Sequence, residues 1–171
     1  MSEIVEKTKH FVSKLLTEKL DSRFLYHNLR HTQRVVKSTK ELLNYYNLEE
    51  VENERLLLAS WFHDVGHIKG WEDHEESSCV IARDFLDKNG YDPKGIEQVC
   101  SLIMATKMCK EPSNLLEGII RDADISHFAK KSYWETTDFL KEELKELGVA
   151  DYSAKEWRDK NIKMFRTKHN F

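Results

Sequence analysis

Glu52-Asn53-Glu54-Arg55-Leu56-Leu57-Leu58-Ala59-Ser60-Trp61-Phe62-His63-Asp64-Val65 is the most apolar stretch of the chain, and it ends on a histidine beside an aspartate. Leu56 to Phe62 is apolar almost without interruption, the pattern of a helix buried on most sides rather than of one with a single wet face. Such a helix needs partners all round it. An ionised carboxylate and an imidazole at its end are expensive to bury unless they are paired or bound to a cation.

Amphipathic segments supply those partners on both sides. Ser2 to Leu20 carries Ile4, Val5, Phe11, Val12, Leu15 and Leu16 as a helical stripe behind Ser2 as a candidate N-cap. Asn28 to Tyr46 spaces Leu29, Val36 and Leu43 by seven. Beyond the central stretch, the spacing predicts a loop over Gly66 to Glu72 and a helix from Glu75 to Lys88 closed by Asn89-Gly90. Asp92-Pro93 opens the next helix, through about Thr106, with a capping side chain and proline at the first position. Pro112-Ser113 breaks the chain before a helix from Asn114 to Phe128. Ser132 to Leu147 and Ser153 to Thr167 finish it. No alternating strand competes, so the expected fold is all-α, a compact bundle of about seven or eight helices. One domain over residues 1–171 is expected, with the motif-bearing core at about 24–128 and the C-terminal helices over 132–171.

Composition narrows the function. Twenty-seven Lys and Arg against 30 Asp and Glu give a net charge of -3, so no global positive field gathers duplex nucleic acid or an anionic membrane. Phosphate recognition must therefore be local. The three cysteines, Cys79, Cys100 and Cys109, fit reduced thiols better than a disulfide framework. With no signal-peptide pattern at Met1-Ser2-Glu3-Ile4 and no apolar run long enough to span a membrane, a cytoplasmic protein is expected.

The eight histidines are unevenly placed: His27, His31, His63, His67 and His74 cluster at segment ends. His31 lies one turn before Val35 and leans toward the core. On the helix 114–128, with Ile120 at 0°, Asp124 falls at about 40° and Asp122 at about 200°. Asp124 is thus the inward acid and needs a partner. A lone His63-Asp64 pair could simply cap its helix, and His31 could be a satisfied histidine of the core edge. Together, two imidazoles and two carboxylates on three helices form a mixed nitrogen and oxygen set suited to a borderline divalent ion: Mn, Fe, Co, Ni or Zn, with Mg also admissible. Such an ion makes hydroxide available at neutral pH and polarises a phosphoryl oxygen, so hydrolysis of a phosphate ester follows.

Tyr26-His27-Asn28-Leu29-Arg30-His31-Thr32, then His63-Asp64-Val65-Gly66-His67, then Asp122-Ala123-Asp124-Ile125 resembles the HD superfamily of metal-dependent phosphohydrolases. The resemblance spans about Phe24 to Phe128. The first two segments also resemble those of class I cyclic nucleotide phosphodiesterases. It implies an all-α fold and His31, His63, Asp64 and Asp124 as metal ligands. By the same analogy His27 protonates the leaving oxygen, with a loop histidine capping the following helix as the alternative, and His67 orients water or bridges to a second ion. His74 and Glu75 are candidates for a second metal or for substrate, or else form a helix N-terminal box. Two-metal members usually supply further histidines from the next helices, and Leu102 to Lys107 has none, so one divalent ion is expected and a di-iron oxygenase is disfavoured.

Candidate phosphate-binding cations near the motifs are Arg30, Arg34, Lys69 and Lys107. Trp61 reads as core, while Trp71 either packs over the bundle or stacks on a base. His127, on Asp124's side of the wheel, contacts either the site or the core. The expected function is hydrolysis of a phosphate ester of a nucleotide or related small molecule. The alternative is a non-catalytic metal- or nucleotide-binding regulatory module, part of a longer chain. The segment 153–171 motivates that alternative, because Trp157, Met164 and Phe165 offer an apolar face that packs on its own domain, pairs a homodimer, or continues into a longer chain.

Overall fold

The structure, a computed structural model, describes residues 2–129, 131 and 133–167. Eight α-helices make up the described chain, in order α1 (Glu3–Lys19), α2 (Leu29–Leu43), α3 (Glu50–Phe62), α4 (His74–Lys88), α5 (Pro93–Ala105), α6 (Leu115–Asp124), α7 (Tyr133–Glu146) and α8 (Ala154–Thr167). Two 3-10 helices, Val65–Lys69 and Ile125–Ala129, follow α3 and α6, and no strand occurs among the described residues. The all-α expectation holds.

Helix α3 sits at the centre. Leu56, Leu58, Ala59, Ser60, Trp61 and Phe62 are all buried, and α3 packs on α1, α2, α5 and α6. Its core partners include Val5, Val12 and Leu16 from α1, Val99 and Ile103 from α5, and Ile119 and Ile120 from α6. Each of these aliphatic side chains contributes about 1.5–3 kcal/mol by leaving water. A buried hydroxyl pair, Thr39 Oγ1 to Ser60 Oγ at 2.8 Å, ties α2 to α3 without leaving either oxygen unpaired.

Two segment boundaries differ from the sequence reading. The expected loop after Asp64 begins as a 3-10 helix, because Gly66 allows it to press on the first turn of α4. A β-carbon at Gly66 would stand 1.9 Å from the His74 carbonyl oxygen and 2.7 Å from the Ser78 nitrogen. The expected helix 114–128 ends at Asp124, and the chain tightens into 3-10 geometry to Ala129. Asp92 caps α5 as expected, accepting from the Gly95 N–H, and Gly90 turns α4 off with φ 71°, while Asn114 caps α6 by accepting from the Glu117 N–H. Ser2 stands at the start of α1 but makes no side-chain cap.

At the C-terminal end, Trp157 is buried and Asn161 Oδ1 accepts from Tyr133 Oη and Thr137 Oγ1, so α8 packs on α7 of its own chain. This accounts for Trp157 without a second copy of the chain. The Phe165 side chain, Ser132 and Lys168 to Phe171 lie outside the described residues. Cys79 and Cys100 are buried and Cys109 is exposed, all as free thiols. No helix among the described residues is long and apolar enough to cross a membrane.

Candidate metal centre

Helix α3 delivers His63 and Asp64 at its C-terminal end, α2 delivers His31 from its first turn, and α6 delivers Asp124 from its last residue. The four converge. His31 Nε2 lies 3.2 Å from His63 Nε2, 3.2 Å from Asp64 Oδ2 and 3.0 Å from Asp124 Oδ1. His63 Nε2 lies 3.1 Å from Asp64 Oδ2 and 3.7 Å from Asp124 Oδ1. Two ligands at about 2.1 Å from one ion and about 90° apart are about 3.0 Å from each other, and about 3.4 Å apart at a tetrahedral angle. Four of the five edges fall in that range, and the His63–Asp124 edge is longer, at 3.7 Å.

The donor chemistry fits as well. Asp64 Oδ2 is buried and has no aligned hydrogen-bond donor, although two imidazole nitrogens stand close to it. The four donors thus crowd one space, with Asp64 Oδ2 left unpartnered in it. His63 Nδ1 donates to the Ser60 carbonyl at 2.9 Å, which leaves Nε2 as the lone-pair nitrogen of the neutral ring. The site is buried: His31 is 2% and His63 0% exposed, while the Asp124 side chain at 24% keeps the centre open on one side.

Electrostatics follow from this packing. Burial opposes the charged form of His31, but the adjacent carboxylates of Asp124 and Asp64 outweigh it and raise its pKa to about 9. His63 is raised by the same balance, burial against and Asp64 for. Burial would lift the two carboxyls, yet His63 and His31 hold Asp64 well below the usual carboxylate range and lower Asp124 too. Asp122 stands outside this cluster, and burial raises its carboxyl. Both acids are half-buried, and it is Asp124 that reaches His31.

A second group adjoins the first. His27, Asp64 and His67 bring ligand atoms within 4.8 Å of one another. His67 Nδ1 donates to the Gly70 carbonyl at 3.3 Å, and its Nε2 is buried without a partner. Burial, then the nearby His27, pushes the His67 pKa down to about 2, so the ring is a neutral lone-pair donor. The ring of His74 stacks on that of His67 at 3.9 Å, and His74 Nε2 lies 3.7 Å from Asp64 Oδ1 and 3.4 Å from Glu75 Oε1. The structure therefore brings His27, His67, His74 and Glu75 to the flank of the first group.

One residue of this flank escaped the sequence reading. Glu143 on α7 has no exposure and accepts the Tyr26 N–H at 2.7 Å, the His27 N–H at 2.9 Å and His27 Nδ1 at 2.5 Å. Its signal was its place beside Leu140 and Leu144 on the inward side of α7, hidden in a run of charges. His127 is buried and pairs with Tyr26 Oη at 3.2 Å, and burial lowers its pKa to about 4.

The expected cations part ways. Lys107 pairs with Glu76 and stands 3.9 Å from Asp73, so its charge is engaged. Arg30 is exposed, Arg34 lies over the Tyr26 ring at 5.7 Å, and Lys69 lines a cleft beside His67. Trp61 is core, as expected, while Trp71 packs against the rings of His27 and His67.

No curated protein and no solved structure gave a significant match to the chain. A family model described as HD domain matches residues 28–129, a stretch that holds His31, His63, Asp64, His67, His74, Glu75 and Asp124. That match covers more than half of the sequence and contains His31, His63, Asp64 and Asp124, and by it the chain belongs to the HD domain family.

Proposed function

We propose that this protein is a phosphohydrolase that holds one divalent ion on His31, His63, Asp64 and Asp124 and cleaves a phosphate ester of a small molecule, with nucleotides as the first class to try. The HD domain is in general that of metal-dependent phosphohydrolases. The observation that carries the reading is the buried, unpartnered Asp64 Oδ2 amid imidazole and carboxylate donors at ligand-edge distances. When bound, a divalent ion makes a water acidic and polarises a phosphoryl oxygen.

The chain's own groups supply the rest. His27, held through Nδ1 by Glu143, presents Nε2 as a proton donor for the leaving oxygen. In the hydrolysis a water oxygen bonds to phosphorus, the ester P–O bond breaks, and the leaving oxygen takes the proton from His27. The water's released proton restores it. His67 is neutral and presents an unpartnered Nε2, a lone pair suited to orienting that water. His74 and Glu75 flank Asp64 from the other side and are the candidates for contact with substrate or a second ion.

Elemental analysis of protein purified without chelator, for wild type and His63→Ala, tests the centre. About one equivalent of a transition metal, absent from the variant, is expected, followed by metal-dependent phosphate release that Asp64→Ala abolishes without loss of helicity. No metal even after addition of Mn or Zn overturns the reading. Metal and nucleotide binding with the ligand recovered unchanged makes the domain a regulatory module instead.

A further inference from the structure

A cleft of about 560 Å³ opens directly beside the second histidine group, lined by Lys19, Asp21, Arg23, His67, Lys69 and Trp71 among others. Its size is that of a small-molecule site, within the range of about 300–1,000 Å³. Three cations and one acid line it, so it is locally positive on a chain whose net charge is -3. Arg23 is spent on Asp21, gripping both carboxylate oxygens through Nε and Nη2 at 2.7 to 3.2 Å. Lys19 and Lys69 are different: both are exposed, and neither forms an ion pair with a described residue. They are the free positive charges of this cleft.

The cleft adjoins the centre through His67. His67 belongs to both, since it lines the cleft and shares the group with His27 and Asp64. Trp71 also lines it, with its ring 5.5 Å from that of His27 and 5.6 Å from that of His67. If His27 protonates the leaving oxygen, the leaving half of the substrate must lie on the His27 side of phosphorus. From there Trp71 leads into the cleft. A planar or apolar linker fits against that indole, and an anionic end would meet Lys19 and Lys69.

We propose that this cleft is a subsite for a second anionic group on the leaving half of the substrate, making the preferred substrate a phosphate ester whose alcohol carries another phosphate or carboxylate. This rests on the reading of the centre as a phosphoester site, and it adds a specificity that the centre alone does not define. A simple monoester occupies the centre only.

The test uses a ruler that cannot be hydrolysed. Alkane-1,n-bisphosphonates with three to six carbons and the matching alkylphosphonates are titrated calorimetrically into the Mn-loaded protein, wild type and the double variant Lys19→Ala/Lys69→Ala. Both lysines are exposed, so the variant keeps the fold, which circular dichroism checks. At the best spacer, the bisphosphonate should bind about tenfold or more tightly than its monophosphonate, about 1.4 kcal/mol. The double variant should lose that advantage while its monophosphonate affinity stays unchanged. Equal affinity of the two ligand types in wild type, or an advantage that survives in the double variant, overturns the subsite and leaves the centre standing. If neither ligand type binds the Mn-loaded protein, the centre's reading falls together with the subsite.

Discussion

His27 Nδ1 stands 2.5 Å from Oε1 of Glu143, a carboxylate with no solvent exposure that comes from α7, 116 residues further along the chain. The other oxygen of the same carboxylate takes the backbone N–H groups of Tyr26 and His27. One side chain therefore fixes both the ring and the backbone of His27. It also anchors α7 to the segment before α2, outside the residues matched by the family model.

Replacing Glu143 by Gln keeps the shape and removes the negative charge that faces His27 Nδ1. With a phosphate ester that the wild type hydrolyses, kcat should fall about 10- to 100-fold with KM nearly unchanged. Glu143→Ala also strands two buried N–H groups, and should destabilise the fold by about 2–5 kcal/mol in thermal unfolding. A Gln variant with a wild-type kcat would remove His27 from proton transfer.

The raised pKa of His31 makes the metal-free protein sensitive to alkali. Its folded value of about 9 exceeds the unfolded value of about 6.5, so its contribution is complete below about pH 6.5 and fades as pH rises through about 9. That contribution is on the order of 3 kcal/mol. Cation binding runs the other way, because the ion takes the place of the protons. The melting-temperature gap between Mn-loaded and chelator-treated protein should therefore widen from about pH 6.5 to about pH 8.5. A gap that narrows over this window contradicts the assigned ligands.

What was legible before the structure follows from where the physics is local. Helix α3 announces itself by an apolar run with no wet face, and Asp124 by a wheel angle, since both depend only on spacing along one helix. The 3-10 turn at Val65–Lys69 was not legible, because its cause is the approach of α4 to Gly66, a contact between distant segments. Glu143 failed for a related reason. In Lys141-Glu142-Glu143-Leu144-Lys145-Glu146 an inward carboxylate looks like its solvated neighbours, and only the His27 segment shows that it has a partner. Lys69 and Lys107 were equivalent as cations near motifs, and it is Glu76, reached across the fold, that separates them.

Gly66 offers a sharp packing test. A β-carbon there meets backbone atoms of α4, which cannot swing away as a side-chain tip would. The 3-10 turn would have to move off α4, breaking the bond from Gly66 N–H to Ser78 Oγ at 2.8 Å and separating His67 from His74. Gly66→Ala should cost about 3 kcal/mol or more, a fall of about 10 °C in Tm. Gly118→Ala is the contrast, since open space surrounds a β-carbon within α6 and the change should stabilise by about 0.5–1 kcal/mol. Equal Tm shifts for the two variants would mean that the turn does not press on α4.

The adjacent acids of α6 separate a ligand from a bystander. Asp124 Oδ1 is 3.0 Å from His31 Nε2, whereas Asp122 lies on the other side of its helix, where burial lifts its carboxyl. Asp124→Asn replaces an anionic oxygen donor by a neutral amide and removes one of the two charges that balance a divalent ion in the first group. It should lower Mn affinity at least about tenfold by calorimetry. Asp122→Asn should leave affinity within about twofold, because its carboxylate contributes no edge to the donor set. Both variants keep α6, since the Asn114 cap and the apolar stripe of Ile119 and Ile120 are untouched. Loss of Mn binding in Asp122→Asn with retention in Asp124→Asn would reverse the assignment and place the ion on the opposite side of α6.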